Sequence, residues 1–151
     1  MDYDENYMLN HDIDWFCNVN GLYIHLASAG GILPKGFRNR EFLRNLQHRV
    51  ANAPFIYGED DVIYNEEFLN QRFVNNPKGR VLYLVTFKEM AMKGFVSMDR
   101  TNLVNPLDNH YHIVCYPKRF VQHDLMDMEI PILNNKEMLW LDMHLLLQIE
   151  K

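Results

Sequence analysis

Hydrophobic and polar positions along the chain change period several times, and each change marks an expected element. After a polar, acidic opening, apolar residues run through Trp15-Phe16-Cys17-Asn18-Val19, break at Asn20-Gly21, and resume through Leu22-Tyr23-Ile24-His25-Leu26-Ala27-Ser28. Asn-Gly between two β-like runs is the strongest short hairpin signal, because a type I′ turn needs positive φ at both central residues. Alternation puts Leu22, Ile24 and Leu26 on one face of the second strand and Tyr23, His25 and Ala27 on the other. Ala29-Gly30-Gly31 ends that strand, and Pro34 and Gly36 keep the next stretch irregular.

The period then lengthens. Asn39 caps an expected helix over residues 40–51, with Phe42, Leu43, Leu46 and Val50 as its buried stripe and Pro54 as its stop. A short apolar piece, Phe55-Ile56-Tyr57, precedes the acidic turn Gly58-Glu59-Asp60-Asp61. Asn65 caps a second, short helix packed through Phe68, Leu69 and Phe73. Asn76-Pro77 opens a third, with proline at the first helical position and Gly94 as the stop. Its apolar residues form two adjoining rows: Val81, Leu84, Val85 and Met92, then Tyr83, Phe87 and Met90.

Residues 95–100 and 110–116 read as two strands joined by a polar loop, an expected antiparallel hairpin. Residues 118–131 carry no clear pattern. A last helix is expected over 136–150, capped by Asn134 or Asn135 and apolar nearly all round. The order is ββ-ααα-ββ-α. Segregated strands and helices predict an α+β fold, a small antiparallel sheet of about four strands packed against helices. Residues 1–12 read as a polar N-terminal arm and 13–151 as a single domain.

Composition narrows the functional classes. The chain has 151 residues, 48% hydrophobic and 13% aromatic, enough for a core without staples. Its formal net charge of −5 argues against a nucleic-acid partner, which needs clustered Lys and Arg. The local basic run Arg38, Arg40, Arg44, His48 and Arg49 reads as a solvated helix face. Neither a leader nor a run of about 20 apolar residues is visible, so the expectation is a cytoplasmic protein with no membrane partner. Cys17 and Cys115 lie in apolar strands and lack metal-site spacing, although a bridge between neighbouring strands stays open.

Candidate chemistry concentrates on the second hairpin. His110 and His112 sit two apart on a strand, so both rings project to one side and are the candidate metal ligands or acid/base groups. Asp99 is the orienting carboxylate, and Ser97, Arg100 and Thr101 are candidate ligand-binding residues, with Arg100 as an anion clamp. Against this stand simpler readings: solvent-facing histidines and a polar strand end. Ser28-Ala29-Gly30-Gly31 allows close approach of an anion but matches no phosphate-binding motif, and the Glu59-Asp60-Asp61 turn lacks an EF-hand pattern. The seven histidines are scattered, which leaves a Ser-His or Cys-His pair open. No cofactor is implied.

The apolar last helix adds another class. Trp140, Met143 and Leu146 are the candidate interface, in a chain with nine methionines, four of them Met126, Met128, Met138 and Met143. Two functions follow. One is a non-enzymatic protein-binding or regulatory module whose partner is another protein or a second copy, as in a homodimer. The other is a small-ligand or metal-binding enzyme with its site on the 95–101 and 110–116 hairpin.

Overall fold

In the computed structural model, which describes residues 1–120 and 129–149, Asn20 and Gly21 adopt φ of 51° and 88°. They join β1 (Asp14–Val19) to β2 (Leu22–Ala27) in the expected hairpin. The turn sets the register, pairing Asp14 with Ala27 and Phe16 with His25. β4 (Val96–Arg100) lies parallel to β2, and β5 (Tyr111–Pro117) lies antiparallel to β4, which gives the second hairpin. A short strand, β3 (Val62–Tyr64), adds to the outer side of β5.

The fold is α+β, with a mixed five-stranded sheet in the order β1-β2-β4-β5-β3. The parallel pair arises because the chain leaves β2, crosses through helices and β3, and returns beside β2 rather than by a tight turn. One extra residue, Val114, sits between two registers of β5, so Ser97 faces Cys115 while Met98 faces Ile113. β1 is an edge strand, and the chain covers it: Asn18 N–H donates to Pro131 O and Leu133 N–H to Asn18 O.

Three asparagine caps behave as their positions require. Asn39, Asn65 and Asn76 each accept the backbone N–H three residues on, opening α2 (Arg40–Asn52), α3 (Glu66–Arg72) and α4 (Pro77–Met92). Leu69, Leu84, Phe87 and Ala91 from α3 and α4 pack on Ala27, Val62, Val114 and Cys115, so these helices cover one face. The larger cluster holds Trp15, Ile24, Leu26, Val96, Met98 and Ile113 on the other face, with Leu133, Leu141 and Leu146 from the C-terminal segment. Lys93, buried at the end of α4, donates to Val50 O and Ala51 O and so ties the C-terminus of α2, where the helix dipole favours a cation.

Residues 1–12 are docked rather than free. They form α1 (Glu5–Leu9), bury Tyr3 and Met8, and pair backbone with the chain entering α2 through Tyr3 N–H to Arg38 O and Arg40 N–H to Met1 O. Tyr3 and Met8 are apolar anchors in an otherwise acidic segment. Arg40 lies over the stacked Tyr3 and Tyr7 rings and Arg38 donates to Leu33 O, so these members of the basic run are structural.

The C-terminal helix differs from expectation. Residues 137–140 form a 3-10 turn, Leu141 is extended, and only then does α5 (Met143–Ile149) begin. The break lets Leu141 enter the main core while Leu146 enters it from the next turn. Met126, Met128 and Glu150 lie outside the described residues. Phe42 also differs, being 43% exposed while Leu43, Leu46 and Val50 are buried.

Candidate functional site

β4 and β5 bring Asp99 and His112 face to face as direct cross-strand partners on the side covered by α3 and α4. Both side chains are spoken for. Tyr83 of α4 donates its hydroxyl to Asp99 Oδ2 at 2.5 Å. Burial lifts the Asp99 carboxyl above its usual range, and the Tyr83 hydrogen bond works against that rise. The same burial and the same carboxylate push the Tyr83 phenol up. His112 packs its ring 4.0 Å from Phe68 and shares a 3.0 Å hydrogen bond with the exposed Thr101 hydroxyl through Nδ1. Desolvation, and then the nearby Arg72 cation, lower its pKa to about 4, so the ring is neutral at physiological pH. Its Nε2 is buried with no hydrogen-bond partner among the described residues.

His110 goes elsewhere. It is exposed, and its Nδ1 lies 2.7 Å from Asp108 Oδ1. The two histidines therefore hold different partners, and no group of three metal-ligating side chains occurs among the described residues.

Arg100 is not an anion clamp. It points to the other face of the sheet and is 2% exposed. Its Nε donates to Ser28 O, Nη2 to Ala29 O, and Nη1 to Asn102 O, Asn105 O and Asp108 O. Each of its three nitrogens thus donates to a backbone carbonyl of one of two loops. The 28–31 turn, considered above for an anion, instead receives this cation. A Cβ at Gly31 would lie 2.5 Å from Arg100 Cδ and Nε, so only glycine lets the guanidinium stem pass.

Ser97 faces a residue from the first hairpin. His25 Nδ1 lies 2.7 Å from Ser97 Oγ, and His25 Nε2 lies 2.8 Å from Asp14 Oδ1. An ionised carboxylate can only accept, so Nε2 carries the proton, and in the neutral ring Nδ1 accepts the Ser97 hydroxyl. This is a Ser-His-Asp relay with the two ring nitrogens exchanged relative to serine hydrolases. Ser97 and His25 are both fully buried, so no substrate reaches Oγ. The relay ties β1, β2 and β4 together under α4. Substituting Ser97→Ala leaves His25 Nδ1 buried without a partner and is expected to cost about 1–2 kcal/mol, read as a lower denaturation midpoint.

Asp14 also reaches a cavity of about 340 Å³ shared by Tyr7, Asp12, Arg44 and Gln47. A larger cleft of about 510 Å³ lies between β5 and the C-terminal segment, lined by Tyr64, Tyr116, Phe120 and Gln148. Neither is lined by Asp99 or His112. The cysteines are free and buried, on strands that are not neighbours. Burial raises both thiols, Cys115 to about 12, which keeps them protonated.

Among the described residues, α4 carries three exposed large apolar side chains on one helix. Its inward side carries Leu84, Phe87 and Ala91. Its outward side carries Val81, Leu82 and Val85 at 66%, 75% and 45% exposure, with Val74 just before the helix at 66%. The apolar rows visible in the sequence are thus split between core and solvent. The expected interface residues behave differently: Leu146 is buried within the chain, and Trp140 and Met143 pack partly buried against the main core.

These features define the class of the protein as an α+β domain with a closed polar relay and an open apolar helix face. No family model matches the chain, and neither a curated protein nor a solved structure does. Among the described residues no helix is long and apolar enough to cross a membrane.

Proposed function

We propose that this protein acts as a non-enzymatic binding module that recognises another protein chain through the outward face of α4. The observation that carries the reading is the contiguous exposed stripe Val81, Leu82 and Val85 on one helix. Isolated exposed apolar residues are normal on protein surfaces, whereas a stripe at helical spacing marks a contact site. Of the polar groups favoured for chemistry, Ser97 and Asp99 are buried and each nitrogen of Arg100 already donates to a backbone carbonyl, which lends less support to an enzyme. Two free buried cysteines suit the reducing cytoplasm. The acidic net charge favours protein over nucleic acid as partner.

The test is selection of amphipathic helical peptides displayed on phage against the wild-type chain and against Leu82→Glu. Leu82 is 75% exposed, so the substitution leaves the fold intact. Binders that require Leu82 support the reading. Binders indifferent to Leu82→Glu remove it, as does the absence of binders to a chain that is monomeric.

A small-ligand reading has one specific observation in its favour: Asp14, the outer member of the relay, lines the 340 Å³ cavity together with Arg44. A stabilising ligand that loses its effect in Arg44→Ala, read by thermal melt, would favour it over docking.

A further inference from the structure

We infer that the occupant of the α4 surface is a second copy of this chain, joined by antiparallel pairing of α4 with its own two-fold mate. The inference rests on the docking reading above and names its partner. Four exposed positions on α4, Lys78, Leu82, Val85 and Glu89, are spaced four, three and four residues apart. That is the spacing of a helix-pairing seam. Its charges and apolar residues are symmetric about the point between residues 83 and 84. In an antiparallel two-fold pair, Leu82 meets the partner's Val85, Val81 meets the partner's Thr86, and Lys78 meets the partner's Glu89. Each contact occurs twice, as an isologous interface requires. All six positions are exposed in the single chain.

The charges on this seam run against their own helix. Lys78 lies in the first turn of α4, which contains no acidic residue, and Glu89 lies in the last turn, which contains no basic one. The helix dipole favours the reverse placement. Neither Lys78 nor Glu89 forms a salt bridge among the described residues, whereas the neighbouring Lys88 and Arg80 pair with Glu59 and Glu66. In the antiparallel pair each charge moves beside the end of the other helix that suits it. Lys78 sits at the partner's α4 C-terminus and Glu89 at the partner's α4 N-terminus. The pattern that is unfavourable in the monomer becomes complementary in the dimer. An unrelated apolar partner would use Val81, Leu82 and Val85 and leave the charge arrangement unexplained.

The experiment is sedimentation equilibrium of the full chain across a concentration series. The variants are Leu82→Glu, Lys78→Glu, Glu89→Lys and the double charge exchange, each checked for its fold by circular dichroism. The wild type is expected to pass from monomer to dimer as concentration rises. Leu82→Glu weakens association roughly tenfold or more. Each single charge change weakens it, and the double exchange restores part of it, because the ion pair is re-formed with its sign inverted while the helix ends no longer favour the charges beside them. A chain that stays monomeric overturns the inference, as does a dimer indifferent to Leu82→Glu or a double exchange that restores nothing. If the chain is monomeric while Leu82-dependent helical peptides still bind, the second copy is rejected and the docking surface stands. If those peptides also fail, both fall together.

Discussion

Replacing Arg100 with methionine is expected to lower stability by about 3–5 kcal/mol, among the largest effects of any single substitution in this chain. Methionine keeps most of the stem packed against Gly31 but removes every donor. The carbonyls of Ala29, Asn102 and Asp108 then lose their Arg100 hydrogen bonds. Those of Ser28 and Asn105 keep a backbone donor each, from Gly31 and Asp108. These three bonds are part-buried, and a hydrogen bond to a charged group contributes about 1.5–3 kcal/mol, so losing three of them reaches the expected range even with partial rescue by water. Arg100→Lys should also destabilise, because an ammonium cannot spread its donors over two loops. Urea unfolding reads the effect directly: at about 2 kcal/mol per molar, the midpoint falls by roughly 2 M. The sign discriminates between the two roles. A cation held ready for an anionic ligand would be relieved by its removal, so a neutral or stabilising Arg100→Met would sink the structural assignment.

Acidification is expected to destabilise the wild type more than His112→Phe. The ordinary histidine pKa is 6.5, and that of His112 in the folded chain is about 4. A folded pKa below the unfolded one means the unfolded chain takes up the proton first. Above pH 6.5 the ring is neutral in both states and contributes nothing to the pH dependence. Stability is lost as pH falls from 6.5 towards 4, and the loss levels off once the folded ring also protonates. The gap corresponds to roughly 3 kcal/mol, nearer 2 once partial solvent contact is allowed for. Asp99, whose carboxyl is raised, works in the opposite direction in both proteins. Phenylalanine at 112 still packs on Phe68 and removes the unpartnered Nε2. At pH 7 the variant should be as stable as the wild type or more so. Superimposable stability-against-pH curves for the two proteins would refute the burial of a neutral ring.

The relay shows how far local signals reach into a site. Alternation already placed His25 on the second face of its strand, and the two-residue turn at Asn20-Gly21 fixes which residue of β1 stands beside it. Asp14 is therefore a diagonal neighbour that strand pairing alone supplies. Ser97 was visible only as a polar residue on a later strand. Its place beside His25 depends on β4 returning parallel to β2, a pairing set by the crossover and not by any turn sequence. Asp99 and His112 were expected on one hairpin and do meet, because antiparallel neighbours joined by one loop share a register. What closes over them, Tyr83 and Phe68, comes from helices placed by the core.

Local signals along the chain were enough for the Asn20-Gly21 turn, the three asparagine caps, the proline start and glycine stop of α4, and the α+β class. These are settled within a few residues by backbone sterics and by unpaired N–H groups at helix ends. The tertiary structure alone decided which polar groups have partners and which apolar groups do not. Arg100 reads as a ligand clamp until two distant loops present their carbonyls to it. Val81 and Val85 read as core until the sheet takes only the opposite side of α4. The last helix reads as continuous until the main core draws Leu141 inward. In each case burial is a property of what packs against a residue, and that partner lies far away in the chain.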